Sequence, residues 1–341
     1  MRVKDEIFRD LSDAASAAKG TLDRETQLSL FDRFDWFHRT WAHCPPGDHP
    51  LIVRASAEGT EAWLFLAETG GAAQGLASWY TLAFRTIVTG APSEATARTL
   101  IAAIAHRLRP RFASIALDHV PLGEAELLKT GFTRAGWIAR VTPQTANWSI
   151  DVTAKSFADF WAERPGQLRS TAKRKAAKTP MELTIFDRFD EAAWADYESI
   201  YADSWKPEEG SMTFIRSMAE DEGAAGALRI GIARIEGRAV AAQLWTVEHD
   251  TAIIHKLAHR KDVAELSPGT ILSKAIFEHV IDRDRVSIID FGIGDDRYKA
   301  DWMDTRVMRM RVELYNPRKP AGLFGAAKAG LRALAARGAS R

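Results

Sequence analysis

Several carboxylates, a tyrosine and a lysine lie close together near the C-terminal end of the sequence. They are Asp290, Asp295, Asp296, Tyr298, Lys299, Asp301 and Asp304. A carboxylate can assist the loss of a proton from a nucleophile, and a tyrosine can return a proton to a leaving group. Gly292 and Gly294 predict a turn at the end of a strand, where functional groups of open α/β sheets tend to gather. Asp290 and Asp295 are therefore candidates for a base or a substrate anchor, and Tyr298 for an acid. The alternative is a solvated turn with a tyrosine anchored in the core.

The start of a predicted helix forms a second candidate site. Its residues are Leu266, Ser267, Pro268, Gly269 and Thr270. The N–H groups in the first turn of a helix lack partners within the helix, and together with the helix dipole they attract a diphosphate. Gly269 permits a close approach of the backbone to such a ligand. The alternative is an ordinary helix start, with Ser267 as the N-cap and Pro268 at the first helical position.

The strand predicted over residues 251–259 leads towards this helix start. Side chains alternate between the two faces of a strand, and one face is expected to line the cleft. The two faces hold Ile254, Lys256 and Ala258, and Ile253, His255, Leu257 and His259, respectively. Lys256 and His255 lie on opposite faces, and the resemblance stated below implies that one of them orients the donor or the acceptor. The alternative for each is a structural hydrogen bond or a surface position.

The segment over residues 205–209 ends a predicted helix in a loop that contains Pro207. Its aromatic and acidic groups can form a wall for a substrate, because sugars and apolar chains pack on tryptophan. Trp205 and Glu208 are therefore candidate substrate-binding residues, as are His255 and Lys299. A tryptophan buried in the core is the alternative for Trp205.

The elements that position these residues follow the same order in both halves of the chain. Short aromatic and aliphatic runs predict strands, and breaks of Gly, Pro and Ser before an apolar stripe predict helix starts. In the first half we predict a helix over 31–41, strands over 61–68, 76–80 and 83–89, a helix over 93–107 and a strand over 113–118. In the second half we predict a helix over 190–205, strands over 228–235, 239–247 and 251–259, a helix over 267–283 and a strand over 286–290. The repeated order indicates an old duplication of an α/β unit.

Parts of both halves resemble known families. Residues 126–132, which end in Lys129, Thr130, Gly131 and Phe132, resemble the helix end of GNAT acyltransferase domains. Residues 256–258, 266–270, 290–302 and 316–318 resemble the GNAT-like domain of CelD-like proteins, which are associated with cellulose and exopolysaccharide biosynthesis. The resemblance implies an α/β (α+β) fold of tandem GNAT-like domains, as in FemAB-type transferases, each with a mixed, mostly antiparallel sheet flanked by helices.

The resemblance also implies that the two domains have different roles. A degenerate GNAT-like domain is expected over residues 1–150, a GNAT acyltransferase domain over 151–318 and a basic tail over 319–341. The second domain is expected to bind acetyl-CoA or another acyl-CoA as substrate, through Leu257, Ala258 and residues 266–270. The strand would pair through its backbone with the pantetheine arm, and an amine acceptor would attack the thioester directly. The candidate catalytic residues are Asp290, Tyr298, Lys256 and Asp295.

Two other functions are compatible with the sequence. A FemAB-type enzyme takes its acyl group from charged tRNA, and the basic run over residues 164–178 would then contact the tRNA; a solvated helix face is the alternative for that run. A non-catalytic accessory protein of exopolysaccharide assembly would keep the fold as a binding module. The accessory function agrees with a departure from the usual GNAT phosphate-binding signature, since Leu266 and Ile271 occupy its outer positions.

The charge distribution and the cysteine content limit the classes of binding partner and indicate the cellular compartment. The sequence has 46 Lys and Arg against 45 Asp and Glu, but residues 318–341 carry six basic side chains and no acidic one. The rest of the chain has 40 basic against 45 acidic residues, without the positive field of a dedicated DNA-binding protein. The single cysteine, the acidic residues near the N-terminus and the lack of an apolar run long enough to span a bilayer predict a cytoplasmic protein.

The basic tail predicts a short amphipathic helix. Its apolar residues are Leu323, Phe324, Ala327, Leu331 and Leu334, and its basic residues include Lys328, Arg332 and Arg337. Docking on its own domain is one interpretation. Peripheral contact with the inner membrane face is the other.

One cluster of possible metal ligands occurs near the N-terminus. It consists of His38, His43, Cys44 and His49. The spacing fits no standard structural zinc site, and the proline-rich segment suits an ordinary loop. We therefore expect no metal.

Overall fold

The computed structural model of this protein describes residues 2–339, with side chains through residue 335. The chain forms two compact units. Unit 1 comprises Met1–Thr145 and Met308–Arg341, and unit 2 comprises Ala146–Val307. Residues 340 and 341, which belong to the predicted basic tail, lie outside the described residues.

The helices and strands follow one another along the chain in an alternating order. The first part contains β1 (Lys4–Phe8), α1 (Leu11–Ala18), α2 (Phe34–His43), β2 (His49–Ala57), β3 (Thr60–Thr69), β4 (Ala72–Gly75), β5 (Ile87–Thr89), α3 (Glu94–Leu108), β6 (Ser114–Pro121), α4 (Leu122–Arg134) and β7 (Ile138–Asp151). The second part contains α5 (Phe157–Glu163), α6 (Gly166–Lys178), β8 (Glu182–Phe186), α7 (Glu191–Ala202), α8 (Met212–Ala224), β9 (Leu228–Ile235), β10 (Arg238–Glu248), β11 (Thr251–His259), α9 (Pro268–Asp282), β12 (Ile288–Ile293), β13 (Thr305–Tyr315) and α10 (Pro320–Ala339). Short 3-10 turns cover Leu30–Asp32, Lys261–Leu266 and Arg297–Asp301.

The sheet of unit 1 has the strand order β1-β2-β3-β4-β6-β13, with β5 also paired to β3. Its neighbouring strands are antiparallel except for β4 and β6, which run parallel. Helix α3 connects these two strands, as a parallel crossover requires. Helices α3 and α4 pack closely, since a Cβ at Gly131 would lie 2.5 Å from Cγ2 of Ile101. The Gly-Phe pair of the predicted GNAT-like helix end therefore serves helix packing, with Phe132 fully buried beside it.

The sheet of unit 2 has the strand order β7-β12-β11-β10-β9-β8. Neighbouring strands in this sheet are antiparallel except for β11 and β12, which run parallel and are connected by α9. Helix α9 packs on the face of β10 that carries Gln243 and Trp245, because Gln243 bonds to Ser273 and Trp245 contacts Phe277. Helix α7 contacts β9, β10 and β11. Helices α7 and α9 therefore both pack on the strands that border the candidate site.

The two units share one topology, which confirms the predicted tandem architecture of mixed, mostly antiparallel sheets flanked by helices. In each unit, antiparallel strands are followed by a helix and a strand that returns parallel to the last of them. In unit 1 these elements are β2, β3, β4, α3 and β6, and in unit 2 they are β9, β10, β11, α9 and β12. The repeated order read from the sequence is therefore present in the fold.

Two predicted strands of the first half differ from the structure. Residues 76–80 form no strand, because Thr81 closes a turn by donating its N–H to the carbonyl of Ser78 at 3.0 Å. Leu76 and Tyr80 are buried in this turn, so their apolar character reflects burial and not pairing. The predicted strand over 83–89 is confined to β5 (Ile87–Thr89).

The ends of the two units depart from the predicted domain boundaries. Residues 309–315 of β13 pair with β6, so they complete the sheet of unit 1. Residues 147–151 of β7 pair with β12, so the sheet of unit 2 includes residues on both sides of the predicted boundary at 150. A strand-pairing pattern of this kind has no local signal in the sequence, since its partners are more than 130 residues apart.

The predicted tail helix is α10, and it docks on its own unit. A Cβ at Gly322 would lie 2.5 Å from the carbonyl oxygen of Ala113, and one at Gly325 would lie 2.9 Å from the ring of Tyr315. These glycines therefore permit a close approach. On another face, large apolar side chains remain exposed, namely Leu323, Phe324, Leu331 and Leu334. No helix within residues 2–339 has the length and apolar character needed to cross a bilayer.

Candidate functional site

Strands β11 and β12 of unit 2 begin as a parallel pair and then separate. Their pairing covers Thr251 with Ile288 through Ile253 with Asp290, and both strands continue beyond it. The register of β12 shifts between Asp290 and Gly292, where Gly292 has φ +71°. A bulge of this kind bends a strand and re-aims its side chains. The far end of β11 is therefore open to a ligand on the side where β12 has turned away.

A second bulge interrupts β11 at His255. Leu244 pairs with Lys256 while the next residue, Trp245, pairs with Ile254, so His255 is the extra residue. The strict alternation predicted for residues 251–259 therefore fails at this point. Ile254 belongs to the same hydrophobic core cluster as Trp245, and Leu257 packs against that cluster. The Nε2 atom of His255 lies 2.9 Å from the hydroxyl of Thr246. This contact gives His255 a structural hydrogen bond within unit 2.

The start of α9 faces this opening without a side-chain cap. Ser267 occupies the N-cap with left-handed dihedral angles (φ 55°), and its hydroxyl makes no capping hydrogen bond. Pro268 holds the first helical position, and the first turn contains no acidic residue. The N–H groups of Gly269 and Thr270 thus belong to a first turn that lacks both a side-chain cap and an acidic neighbour. Such a turn is suited to an anionic ligand.

A buried polar network fixes the start of α9 against β10. Gln243 donates from Nε2 to the hydroxyl of Ser273 at 2.7 Å and to the carbonyl of Gly269 at 3.2 Å. Its Oε1 accepts from Trp245 Nε1 at 2.9 Å. Gln243 is 1% exposed, so these bonds satisfy a side chain that would be costly to bury alone. The network holds the first turn in place through the carbonyl of Gly269 and the hydroxyl of Ser273.

The equivalent helix of unit 1 begins differently. In α3 the Ser93 hydroxyl accepts from the N–H of Thr96 at 3.2 Å, and Glu94 lies in the first turn. A side-chain cap and a carboxylate both disfavour an anion there. Of the two matching helix starts, the one in unit 2 is the better suited to a phosphate group.

A cavity of about 300 Å³ lies between the separated strands and the start of α9. Its lining includes Leu257, His259, Ser267, Gly269, Thr270 and Tyr298. Trp205 forms part of the wall, and its ring lies 4.2 Å from that of His259, centroid to centroid. The structure thus brings together the predicted helix start, the end of the predicted strand, the candidate acid and the candidate tryptophan wall. Of the remaining cofactor candidates, Ala258 and Pro268 are buried, and Leu266 ends the 3-10 turn before the helix.

Tyr298 lies in the 3-10 turn after β12 and packs edge-on against Phe291, with ring centroids 5.6 Å apart. Burial, with a smaller contribution from the charge of Asp296, raises the pKa of Tyr298 to about 12. The phenol is therefore protonated throughout the neutral range. In this state Tyr298 can donate a hydrogen bond into the cavity.

The two candidate carboxylates have different surroundings. Asp290 accepts from the N–H of Gly292 at 2.7 Å and from Nδ2 of Asn147 at 3.0 Å, so it stabilises the bulge of β12. Asp295 is exposed and makes two bonds to Arg306, of 2.9 and 2.6 Å. Hydrogen bonding to Arg306 lowers the pKa of Asp295. Asp295 is therefore ionised at neutral pH and is a weak base.

Lys299, a candidate for substrate binding, is 4% exposed and points into the protein. Its ammonium donates to the carbonyls of Phe291, Gly292 and Ile293 at 3.2, 3.4 and 2.6 Å. Burial lowers the pKa of this ammonium. These three bonds hold the end of β12 and the turn that carries Tyr298.

Lys256 forms a largely buried ion pair with Glu209, which follows α7 in the loop before α8. Its Nζ lies 2.7 Å from Glu209 Oε2 and 2.9 Å from Oε1. Burial, with the adjoining Glu209 charge and hydrogen bond, raises the pKa of the Tyr201 hydroxyl. Glu208, the acid singled out from the sequence, is exposed in the same loop. The chain therefore brings Glu209, not Glu208, to Lys256.

Sequence reasoning missed the roles of Glu209, Gln243 and Ser273. Gln243 lies in a strand that is otherwise apolar from Ala239 to Trp245, so a single buried amide was the available signal. Glu209 had no distinguishing signal, because it adjoins another glutamate in a loop. Within residues 2–339, no group of three or more His, Cys, Asp or Glu side chains is arranged to hold a metal ion.

Comparisons with known proteins agree with this geometry. Residues 163–300 match the family described as an acetyltransferase (GNAT) domain. This segment contains the separated strands, α9 and all the residues that line the cavity except Asp301 and Trp302. A comparison with curated proteins gives no match to the chain.

Three solved structures share the fold across most of the chain. FemX has a TM-score of 0.61 at 9% identity, covering 92% of this chain and 97% of its own. The C-terminal domain (DUF2156) of a putative lysylphosphatidylglycerol synthetase from Agrobacterium fabrum has a TM-score of 0.58 at 12% identity, covering 94% and 96%. A tandem GNAT protein from the clavulanic acid biosynthesis pathway has a TM-score of 0.52 at 11% identity, covering 91% and 98%. These likenesses support the tandem fold.

Proposed function

We propose that this protein is an acyl-CoA-dependent N-acyltransferase whose donor binds in unit 2. The observation that carries the proposal is the cavity between β11 and β12, which joins an uncapped helix start to Tyr298. The diphosphate of the donor binds at the N–H groups of Gly269 and Thr270. The pantetheine arm runs along the part of β11 from which β12 has separated, and brings the thioester towards Tyr298.

Transfer then proceeds by direct attack of an acceptor amine on the thioester. The amine nitrogen forms a bond to the acyl carbon, the carbon–sulfur bond breaks, and the amine loses one proton. Tyr298 donates a hydrogen bond to the departing thiolate, which finally takes up a proton as the free thiol. Asp290 and Lys299 position the turn that carries Tyr298.

The acceptor approaches from the loop after α7. Trp205, which is 51% exposed, provides an apolar surface beside the cavity. Both carboxylate oxygens of Asp295 accept from Arg306, so we assign Asp295 neither to acceptor anchoring nor to proton removal. A polysaccharide or cell-envelope acceptor is the class that the sequence resemblance favours.

A second candidate function is transfer of an aminoacyl group from tRNA. The likeness to FemX favours it, as does the basic face of α6, in which Ala172 is the one buried residue. Arg164 does not belong to this face, because it is 5% exposed and bonds to Asp304 and the carbonyl of Trp302. Helix α6 contacts α9, and its Leu168 lines the cavity.

Ligand binding separates these functions. We expect acetyl-CoA to stabilise the protein by about 2.7 kcal/mol at 100 times its Kd. Substitution of Lys173, Arg174 and Lys175 by Ala should leave most of this stabilisation. A tRNA-dependent enzyme would instead bind charged tRNA with an affinity that falls steeply as salt rises, and the triple substitution would weaken that binding. Salt-sensitive tRNA binding without stabilisation by acetyl-CoA would reverse the ranking. Absence of both the stabilisation by acetyl-CoA and the binding of tRNA would favour the accessory-protein function.

We also propose peripheral contact of α10 with an anionic membrane surface. Its exposed apolar side chains lie among basic residues, the composition of an interfacial helix. Because α10 docks through Gly322 and Gly325, substitution tests the contact better than deletion. Replacing Phe324, Leu331 and Leu334 by Ser should reduce co-sedimentation with anionic vesicles without a loss of thermal stability.

The matched control for the α10 variant is Leu122→Ser, which replaces an exposed leucine of α4. This variant should sediment with vesicles as the wild type does. Equal sedimentation of the wild type and the α10 variant would contradict the membrane contact.

A further inference from the structure

His259, the last residue of β11, places an imidazole ring beside the start of α9. Its Cδ2 atom lies 3.5 Å from the position that a Cβ at Gly269 would take, which is an ordinary van der Waals contact. Its ring also lies 4.2 Å from that of Trp205, centroid to centroid, and both residues line the cavity. The imidazole therefore lies between Trp205 and the first turn of α9, where the proposed function places the diphosphate of the donor.

One nitrogen of this ring is already bonded to the backbone. Nδ1 lies 3.0 Å from the carbonyl oxygen of Arg260, and because a carbonyl oxygen only accepts, Nδ1 carries the hydrogen. Within residues 2–339, Nε2 of His259 has no hydrogen-bond partner. Nε2 is covalently bonded to Cδ2, the ring atom that lies beside Gly269. The nitrogen that remains for a ligand is thus the one next to the start of α9.

The start of α9 brings no cationic side chain of its own to the ligand. Residues 266–271 are Leu, Ser, Pro, Gly, Thr and Ile, and their side chains are uncharged. Among the described residues that line the cavity, His259 is the one whose side chain can carry a positive charge. His259 can therefore supply a charged donor beside the uncharged N–H groups of the helix start.

We propose that His259 binds the diphosphate of the acyl donor as a protonated imidazole. The inference rests on the proposed function. The Nδ1–H group keeps its bond to the carbonyl of Arg260, and the Nε2–H group donates to a phosphate oxygen beside the N–H groups of Gly269 and Thr270. A hydrogen bond between oppositely charged groups is shorter and stronger than one between neutral groups. His259 is thus a further donor-binding residue, and it makes the affinity for the donor depend on pH.

Other titratable groups lie in the segments that adjoin His259. They are Tyr298 and Asp301 in the turn after β12, Lys206 beside the ring of Trp205, Arg260 with its partner Asp203, Lys261, Asp262 and Glu265 in the 3-10 turn before α9, and Lys175 of α6, which bonds to the carbonyl of Glu265. The residue that pairs with His259 in β10 is Ala241, which is uncharged. All these groups are present with and without the donor. The diphosphate is therefore the charge whose arrival favours the protonated imidazole.

The sign of the pH dependence follows from this linkage. Histidine side chains change charge between about pH 5 and 8. The affinity for the donor should be highest at the acidic end of this range, where the imidazole is charged. It should fall as the pH rises through the range, because the neutral ring loses the charged Nε2–H donor, and then level off.

The test compares binding of acetyl-CoA to the wild type and to His259→Asn by isothermal titration calorimetry. The amide of asparagine keeps a donor for the carbonyl of Arg260 but takes up no proton. We expect His259→Asn to bind about 10-fold more weakly than the wild type near the acidic end of the range, in line with the loss of one hydrogen bond to a charged group. Above about pH 8 the two affinities should converge. Titration of the ligand's own phosphates is common to both proteins and cancels in the comparison.

Proton uptake provides a second readout. Near neutral pH, titrations in buffers of different ionisation heat should show that the wild type takes up more protons on binding acetyl-CoA than His259→Asn does. His259→Gln, which keeps a longer side chain beside Trp205, should behave as His259→Asn does.

His249→Asn is the matched control. His249 lies in the turn before β11, at the opposite end of this strand from His259, and its φ of +46° is one that asparagine tolerates. This variant should bind acetyl-CoA with the affinity, the pH dependence and the proton uptake of the wild type.

The outcomes distinguish this inference from the proposed function. A loss of affinity in His259→Asn that is equal at every pH, without a change in proton uptake, would assign His259 to packing against Trp205 and overturn the inference. Equal affinities of this variant and the wild type throughout the range would also overturn it, while leaving the proposed function intact. Failure of acetyl-CoA to bind the wild type would contradict the proposed function itself, and with it the inference.

Discussion

Replacing Tyr298 by Phe is expected to lower acyl transfer by about 10²-fold, the lower end of the range for lost acid–base assistance. The hydroxyl is lost while the ring keeps its edge-on contact with Phe291. The effect lies at the lower end because the pKa of Tyr298, at about 12, is well above that of an ordinary thiol, about 8.5. The phenol therefore stabilises the departing thiolate mainly as a hydrogen-bond donor. Release of free thiol from acetyl-CoA, in the presence of primary amines, measures the rate.

Tyr315→Phe is the matched control for this substitution. Tyr315 belongs to unit 1, and its hydroxyl donates to Glu313 at 2.9 Å, so its loss also removes one hydrogen bond. It should leave acyl transfer unchanged. Stabilisation by acetyl-CoA should be the same in both variants and in the wild type. An unchanged rate in Tyr298→Phe would assign the residue to packing of the turn.

The fold of unit 2 was largely predictable because local signals there agree with the tertiary structure. The strands predicted over 228–235 and 251–259 have the same bounds as β9 and β11. The helix predicted over 267–283 is α9, whose Pro268 occupies the first helical position that prolines favour. The first half was harder, since residues 76–80 are apolar through burial in a turn and β2 was missed altogether.

The site was predictable in its location but less so in its details. Residues 266–270, Trp205 and Tyr298 were identified from the residue types of short segments, and Leu257 from the resemblance to GNAT-like domains. The bulge at His255 was not, because it is defined by pairing with β10. Lys299 has the sequence appearance of a functional lysine, yet it holds three backbone carbonyls. Such contacts depend on the direction in which a long side chain points. The neighbouring residues in the sequence do not determine that direction.

The donor site itself is expected to be lost in Gly269→Glu. A Cβ at Gly269 would meet His259 Cδ2 at 3.5 Å, an ordinary contact, so the substitution is tolerated by the fold. The carboxylate would extend from the first turn of α9 towards the position assigned to the diphosphate. A negative charge there interacts favourably with the helix dipole but repels the diphosphate of the donor. The variant should therefore fold and fail to bind acetyl-CoA.

Gly123→Glu provides the control, since Gly123 is the second residue of α4 as Gly269 is of α9. It lies in unit 1, and a Cβ there would have no atom within 4 Å. The most direct measurement is the change in thermal unfolding temperature caused by acetyl-CoA in the wild type and both variants. Donor binding at α9 predicts the same rise for the wild type and Gly123→Glu, and none for Gly269→Glu. An equal rise in Gly269→Glu, or no rise in the wild type, would contradict it.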